Sequence, residues 1–252
     1  MISKICLIYQ PCGLGDILFC QKIAHYYHSL GYDIVWPVIY EYAWLSEYIP
    51  WIQWVSWGDK GAFLTHMDKL PDTIRFPKKE FYNPYSECIF SDEFVYINGF
   101  LSHSGPIMAF KYQSARLDWR DWRDYVIYTP NKKAEEQLFE KLGLKIGEEY
   151  VFVNRNYQIR PHPFCLQSVP NNFAGRKVVE LSILDGFSIF DWIPVICGAA
   201  EIHMVETSLN YILESPQVAP RIQANKMCLY SRFNSFHEVS YLFNLPWSYI
   251  HT

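Results

Sequence analysis

The chain contains no apolar run approaching the ~20 residues that a membrane-spanning helix requires. Residues 1–9 are too short an apolar run for a signal peptide and lead into a glycine turn rather than a cleavage site, so the cytoplasm is the expected compartment. Close cysteine pairs are also missing. The seven cysteines, at positions 6, 12, 20, 88, 165, 197 and 228, include no C-x-x-C. That argues against a zinc site and fits scattered thiols in a reducing environment. Net charge is -4 and no stretch concentrates Lys or Arg. A nucleic-acid grip needs several basic contacts to phosphate, so no nucleic-acid partner is expected. There is no P-loop, no H-E-x-x-H pair, no G-x-S-x-G elbow and no repeat of fixed period.

What is present is the balance of a folded chain. Half of the residues are apolar and 19% are charged, enough to bury a core. At 252 residues, that core can be one large or two small. The many aromatics are read chiefly as core and groove lining.

The order of elements favours two cores. A short apolar run at 4–9 reads as a buried parallel strand, followed by a tight turn, a helix at 17–30 stopped by Gly31, and a strand at 33–39. A helix at 42–49 and strands at 52–57 and 94–97 follow, with 58–92 read as insertion and loop. The pattern restarts with a helix at 133–142 and a strand at 150–154. Next come a strand at 177–181, a helix at 188–200 that tolerates Pro194 only in its first turn, a strand at 201–205 and a helix at 207–213. A strand at 226–230 and a helix at 236–243 close the chain. Strands alternating with helices in both halves predict an α/β protein made of two small Rossmann-like parallel-sheet halves, 1–130 and 131–252, facing across a cleft.

Three places carry candidate chemistry. Gly13-Leu14-Gly15-Asp16 joins a strand to a helix, where glycines allow a sharp turn and close approach of a ligand. The dinucleotide fingerprint needs a third glycine, and Leu18 stands in its place, which weakens an oxidoreductase reading. Asp16 in the first helical turn is either a cap or a general base. The second place is Glu206-Thr207-Ser208, where hydroxyls and backbone N–H groups at a helix start would cradle a diphosphate without metal, and Glu214 would accept ribose hydroxyls. The alternative is a capping threonine with two solvated glutamates. The third is Asn154-Arg155 at a strand end, with Arg155 neutralising a leaving diphosphate, and Arg160 as a second choice. His103, in a loop, is a candidate acceptor contact. His25 and His28 are read as helix-surface residues and His203 as structural, so no metal ligands are expected.

The Gly13-Leu14-Gly15-Asp16 turn resembles the G-x-G-D opening of GT-B glycosyltransferases of the heptosyltransferase-like kind. The segment 187–214 resembles their donor half, and Glu206 and Glu214 have the spacing of the E-x7-E element of retaining GT-B enzymes. The resemblance implies transfer of a sugar from a nucleotide-sugar donor to a glycan or other hydroxyl acceptor. It implies Asp16 as the base, an acceptor half at 1–130, a donor half at 131–252, and no cofactor beyond the donor. A nucleotide-sugar epimerase and an inactive GT-B-like module that only binds glycan or nucleotide are the alternatives.

Overall fold

The computed structural model describes residues 4–56, 88–99, 107–157, 164–171, 173, 175–232 and 240–251. It divides into two compact units, Met1–Tyr128 and Thr129–Thr252.

The first unit is built on β1 (Lys4–Tyr9), whose Cys6, Leu7, Ile8 and Tyr9 are almost fully buried, as a central parallel strand covered on both faces requires. It pairs in parallel with β2 (Tyr32–Val38) on one side and β5 (Phe94–Asn98) on the other. Adding β3 (Gln53–Ser56) and the antiparallel β4 (Ile89–Phe90) gives the order β3-β2-β1-β5-β4 among the described residues.

The helix expected at 17–30 is two helices, α1 (Leu14–Phe19) and α2 (Gln21–Ser29), broken at Cys20. The hydroxyl of Tyr112 donates to the Phe19 carbonyl, and a side chain entering the helical ladder is a recognised cause of a break. Beyond α2, Gly31 takes a left-handed conformation (φ 83°) that stops the helix as the sequence suggests. The 42–49 helix shrinks to a 3-10 turn at Tyr40–Tyr42 and α3 (Leu45–Tyr48). Tyr112 belongs to α4 (Ile107–Ser114), a helix that the sequence pattern does not reveal.

In the second unit the strands β6 (Tyr150–Asn154), β9 (Lys177–Glu180), β10 (Glu201–Val205), β11 (Lys226–Tyr230) and β12 (Ser248–Ile250) form one parallel sheet, in the order β12-β11-β10-β6-β9. A small antiparallel pair, β7 (Asn156–Tyr157) and β8 (Phe164–Cys165), leaves the end of β6. Helix α5 (Lys132–Lys141) starts where Asn131 Oδ1 accepts from the Ala134 N–H at 3.1 Å. The helix expected at 188–200 is only α6 (Ile193–Cys197), with Pro194 in its first turn. Asp191 Oδ2 accepts from the Ser188 N–H at 2.7 Å, closing a local turn that competes with helix before residue 193. Helix α7 (Ser208–Leu213) follows β10 directly. The closing helix expected at 236–243 falls partly outside the described residues, and its described end is a 3-10 turn at Ser240–Leu242.

Candidate functional site

Open parallel sheets bind ligands beyond the carboxyl ends of their strands, where strand order reverses about the first strand. In the first unit that point lies between β1 and β5; in the second it lies between β6 and β10. Gly13, Gly15 and Asp16 follow β1, Asn154 and Arg155 lie at the end of β6, and Glu206, Thr207 and Ser208 follow β10.

In the first unit the turn after β1 is held from several sides. Trp36 Nε1 donates to the Gln10 carbonyl (3.0 Å), Ile39 N to the Pro11 carbonyl (3.0 Å), and Leu14 N to the Tyr42 hydroxyl (3.2 Å). Gly13 is left-handed (φ 78°), and Gly15 lies within α1. The Asp16 carboxylate folds back over the turn, so that a Cβ built on Gly13 would clash with Asp16 Oδ2. Its other oxygen, Oδ1, lies 3.1 Å from Lys111 Nζ. The Asp16 side chain is 32% exposed while that of Lys111 is 7% exposed. The carboxylate is therefore held on one side by the lysine and remains a third exposed. Lys111 escapes sequence reasoning because it lies on an unforeseen helix 95 residues away.

Both features of Gly13 forbid a side chain. Gly13→Ala is expected to lower unfolding free energy by ~1–3 kcal/mol, the range for a strained backbone conformation, and to displace the carboxylate. Denaturant unfolding checks the first effect, and an unchanged midpoint would show that the turn is not held as described.

In the second unit Asn154 ends β6, buried, with Oδ1 accepting from the Asn156 N–H at 3.1 Å. Arg155 follows, also buried, but its guanidinium is engaged. One terminal nitrogen lies 2.6 Å from Glu180 Oε2 and the other donates to the Pro170 carbonyl at 2.6 Å. Arg155, expected as the cation for a diphosphate, here ties the strand ends together, and would reach a ligand only by exchanging the half-exposed Glu180 for it. Glu206 directly follows β10, buried rather than solvated, with Arg232 Nη2 3.8 Å from one oxygen. Thr207 caps α7 in a reciprocal arrangement with Asn210. Asn210 Oδ1 accepts from the Thr207 N–H at 2.8 Å, while the buried Thr207 hydroxyl oxygen faces Asn210 without closing a hydrogen bond of ordinary geometry. Ser208 opens the helix and is half-buried.

Glu214 is the clearest correction. It is buried at the end of α7, where its carboxylate accepts from the N–H groups of Asn244 (2.7 Å) and Leu245 (3.1 Å) and from Trp247 Nε1 (3.0 Å). Those oxygens anchor the segment leading into β12 and are not presented to a ribose. His103 and Arg160 lie outside the described residues.

His203 is structural, between Tyr230 (3.0 Å) and Glu201 (3.1 Å), and burial lowers its pKa. Glu201, at the opposite end of β10 from the candidate site, is held down to about 2, first by its hydrogen bond from Arg176 and then by that from His203. Both shifts have the same sign for folding. The unfolded chain binds protons more readily, so stability falls as pH drops, first below ~6.5 through His203 and then from ~4.3 towards 2 through Glu201. Glu201→Gln is expected to flatten the second limb, and a denaturation midpoint measured against pH would contradict this if the limb stayed as steep.

Among the described residues no group of three or more His, Cys, Asp or Glu is arranged to hold a metal, and no helix is long and apolar enough to cross a membrane. The chain matches no family model and no curated protein sequence. Its structure is similar to that of a glycosyl transferase family 9 protein from Veillonella parvula DSM 2008, with a TM-score of 0.56 and 8% identity over 100% of this chain and 88% of that one. The fold is GT-B-like. Weaker likenesses exist to the iron-containing dodecameric glycosyltransferase TibC from enterotoxigenic E. coli H10407 (TM-score 0.49, 12% identity, 99% of this chain and 63% of that one) and to E. coli heptosyltransferase WaaC with ADP (0.42, 11%, 92% and 88%). Neither adds to the argument. At such identities the likeness concerns the GT-B-like fold, and chemistry has to be argued from the site.

Proposed function

We propose that the chain is a glycosyltransferase that moves a sugar from a nucleotide-sugar to a hydroxyl of a glycan or other acceptor, without a metal, in the cytoplasm. The observation that carries this reading is the Asp16 carboxylate at the strand-order reversal of the first unit, held by a buried lysine and a third exposed. The shared fold with a glycosyl transferase supports it by analogy.

In this reading the acceptor hydroxyl attacks the anomeric carbon of the donor sugar, its proton passes to Asp16, and the bond from that carbon to the diphosphate oxygen breaks. Asn154, Glu206, Thr207 and Ser208 contact the donor. Arg155 joins them by releasing Glu180, since a diphosphate is a stronger partner for a guanidinium than one half-exposed carboxylate. Gly13 and Gly15 let the acceptor approach the turn, and His103 is proposed as a further acceptor contact.

A nucleoside diphosphate is expected to bind with the same affinity in the presence and absence of EDTA, as titration calorimetry would show. Binding that required added magnesium or manganese would overturn the metal-free reading.

A further inference from the structure

Lys111 has no part in the sequence motifs, yet it is a buried cation at the first unit's site. Its side chain is 7% exposed. A buried ammonium is costly unless its protons are all engaged. Its Nζ has acceptors enough for all three: Gln10 Oε1 at 2.7 Å, the Gly99 carbonyl at 2.9 Å and Asp16 Oδ1 at 3.1 Å. These come from three different places. Gln10 follows β1, Gly99 follows β5, and Asp16 is in the first turn of α1. One ammonium therefore spans the point of strand-order reversal and joins both loops to the carboxylate.

The neighbouring residue reinforces the grip. Tyr112 donates its hydroxyl to the Phe19 carbonyl, so α4 holds α1 at its first turn through Lys111 and at its end through Tyr112. Gly99 adds a packing constraint. A Cβ there would lie 2.7 Å from Gln10 Oε1, so the close approach of the two loops that forms this tripod depends on the absence of a side chain. A lysine tethered at three points cannot swing away, and the carboxylate it holds cannot rotate freely.

We infer that Lys111 is the positioning residue for Asp16, fixing the orientation of its carboxylate towards the acceptor. This inference rests on the reading of Asp16 as the base. Displacing a reacting group by about 1 Å can cost ~10²-fold in rate.

The test is a double-mutant cycle in kcat with saturating donor, using Asp16→Asn, Lys111→Met and the pair. Lys111→Met is expected to lower kcat about 10- to 100-fold with the KM for donor unchanged. In the Asp16→Asn background the same change should cost less than about 3-fold, because the group it positions has gone. An equal factor in both backgrounds would assign Lys111 to packing and overturn the inference, as would undiminished kcat in folded Lys111→Met. If Lys111→Met does not fold, Lys111→Gln, which keeps an N–H donor for the Gly99 carbonyl but carries no charge, runs the same cycle. Loss at Asp16 without loss at Lys111 overturns this inference alone. Full turnover in Asp16→Asn, or a wild-type chain that transfers no sugar, overturns the base assignment with it.

Discussion

Asp16→Asn is expected to reduce turnover by ~10²–10⁴-fold while donor affinity holds, the usual range for removing a positioned acid–base group. Asparagine keeps the size and capping ability of aspartate, and its side-chain oxygen can still accept from Lys111. What it loses is charge and basicity. The stability cost should be modest, about 1 kcal/mol, because the Asp16 side chain is a third exposed and the screened pair is only partly desolvated. Turnover should therefore be measured on folded protein, at a denaturant-free temperature well below the unfolding midpoint. A folded variant with full activity would remove Asp16 from the mechanism and leave Glu206 as the next carboxylate to examine.

Glu214→Gln is expected to do the reverse, with a large effect on stability and none on donor binding. The native carboxylate serves three N–H donors from Asn244, Leu245 and Trp247. A glutamine would turn an NH₂ towards some of them, leaving buried donors unmatched, for a loss of ~2–4 kcal/mol. Denaturant unfolding checks the loss, and calorimetry on the folded variant checks that nucleoside diphosphate affinity is retained. Weakened affinity with unchanged stability would return Glu214 to the ribose.

The contrast between these two carboxylates shows what a sequence can convey about such a site. β1, β6, β10 and β11 are legible because a strand buried on both faces is a continuous apolar run with polar residues at its ends. The turns that follow are legible too, since glycine, hydroxyl and carboxylate residues cluster there. Partnerships are not. The spacing of Glu206 and Glu214 is visible, but the backbone N–H groups that engage Glu214 lie some 30 residues later in a segment with no distinctive pattern. Arg155 reads as a cation at a strand end, whereas the Pro170 carbonyl and Glu180 that hold it come from an excursion after β7 and β8 and from the end of β9. The break at Cys20 is set by a hydroxyl from Tyr112, and Lys111 reaches Asp16 from the same helix. Long-range tertiary contacts decide each of these, and local periodicity carries no trace of them. Likewise β12, three residues of partly exposed Ser-Tyr-Ile, is too short to stand out from a loop.

The central claim is transfer of a sugar from a nucleotide-sugar, and donor turnover tests it most directly. The chain would be incubated with UDP-, GDP-, ADP- and CDP-sugars in EDTA, with and without simple hydroxyl acceptors, and the release of nucleoside diphosphate followed chromatographically. The account predicts release from at least one nucleotide class, insensitive to EDTA and suppressed by Asp16→Asn. Absence of release from every donor by folded protein that nonetheless binds a nucleotide would contradict it, and would make the chain a binding module on a glycosyltransferase-like fold.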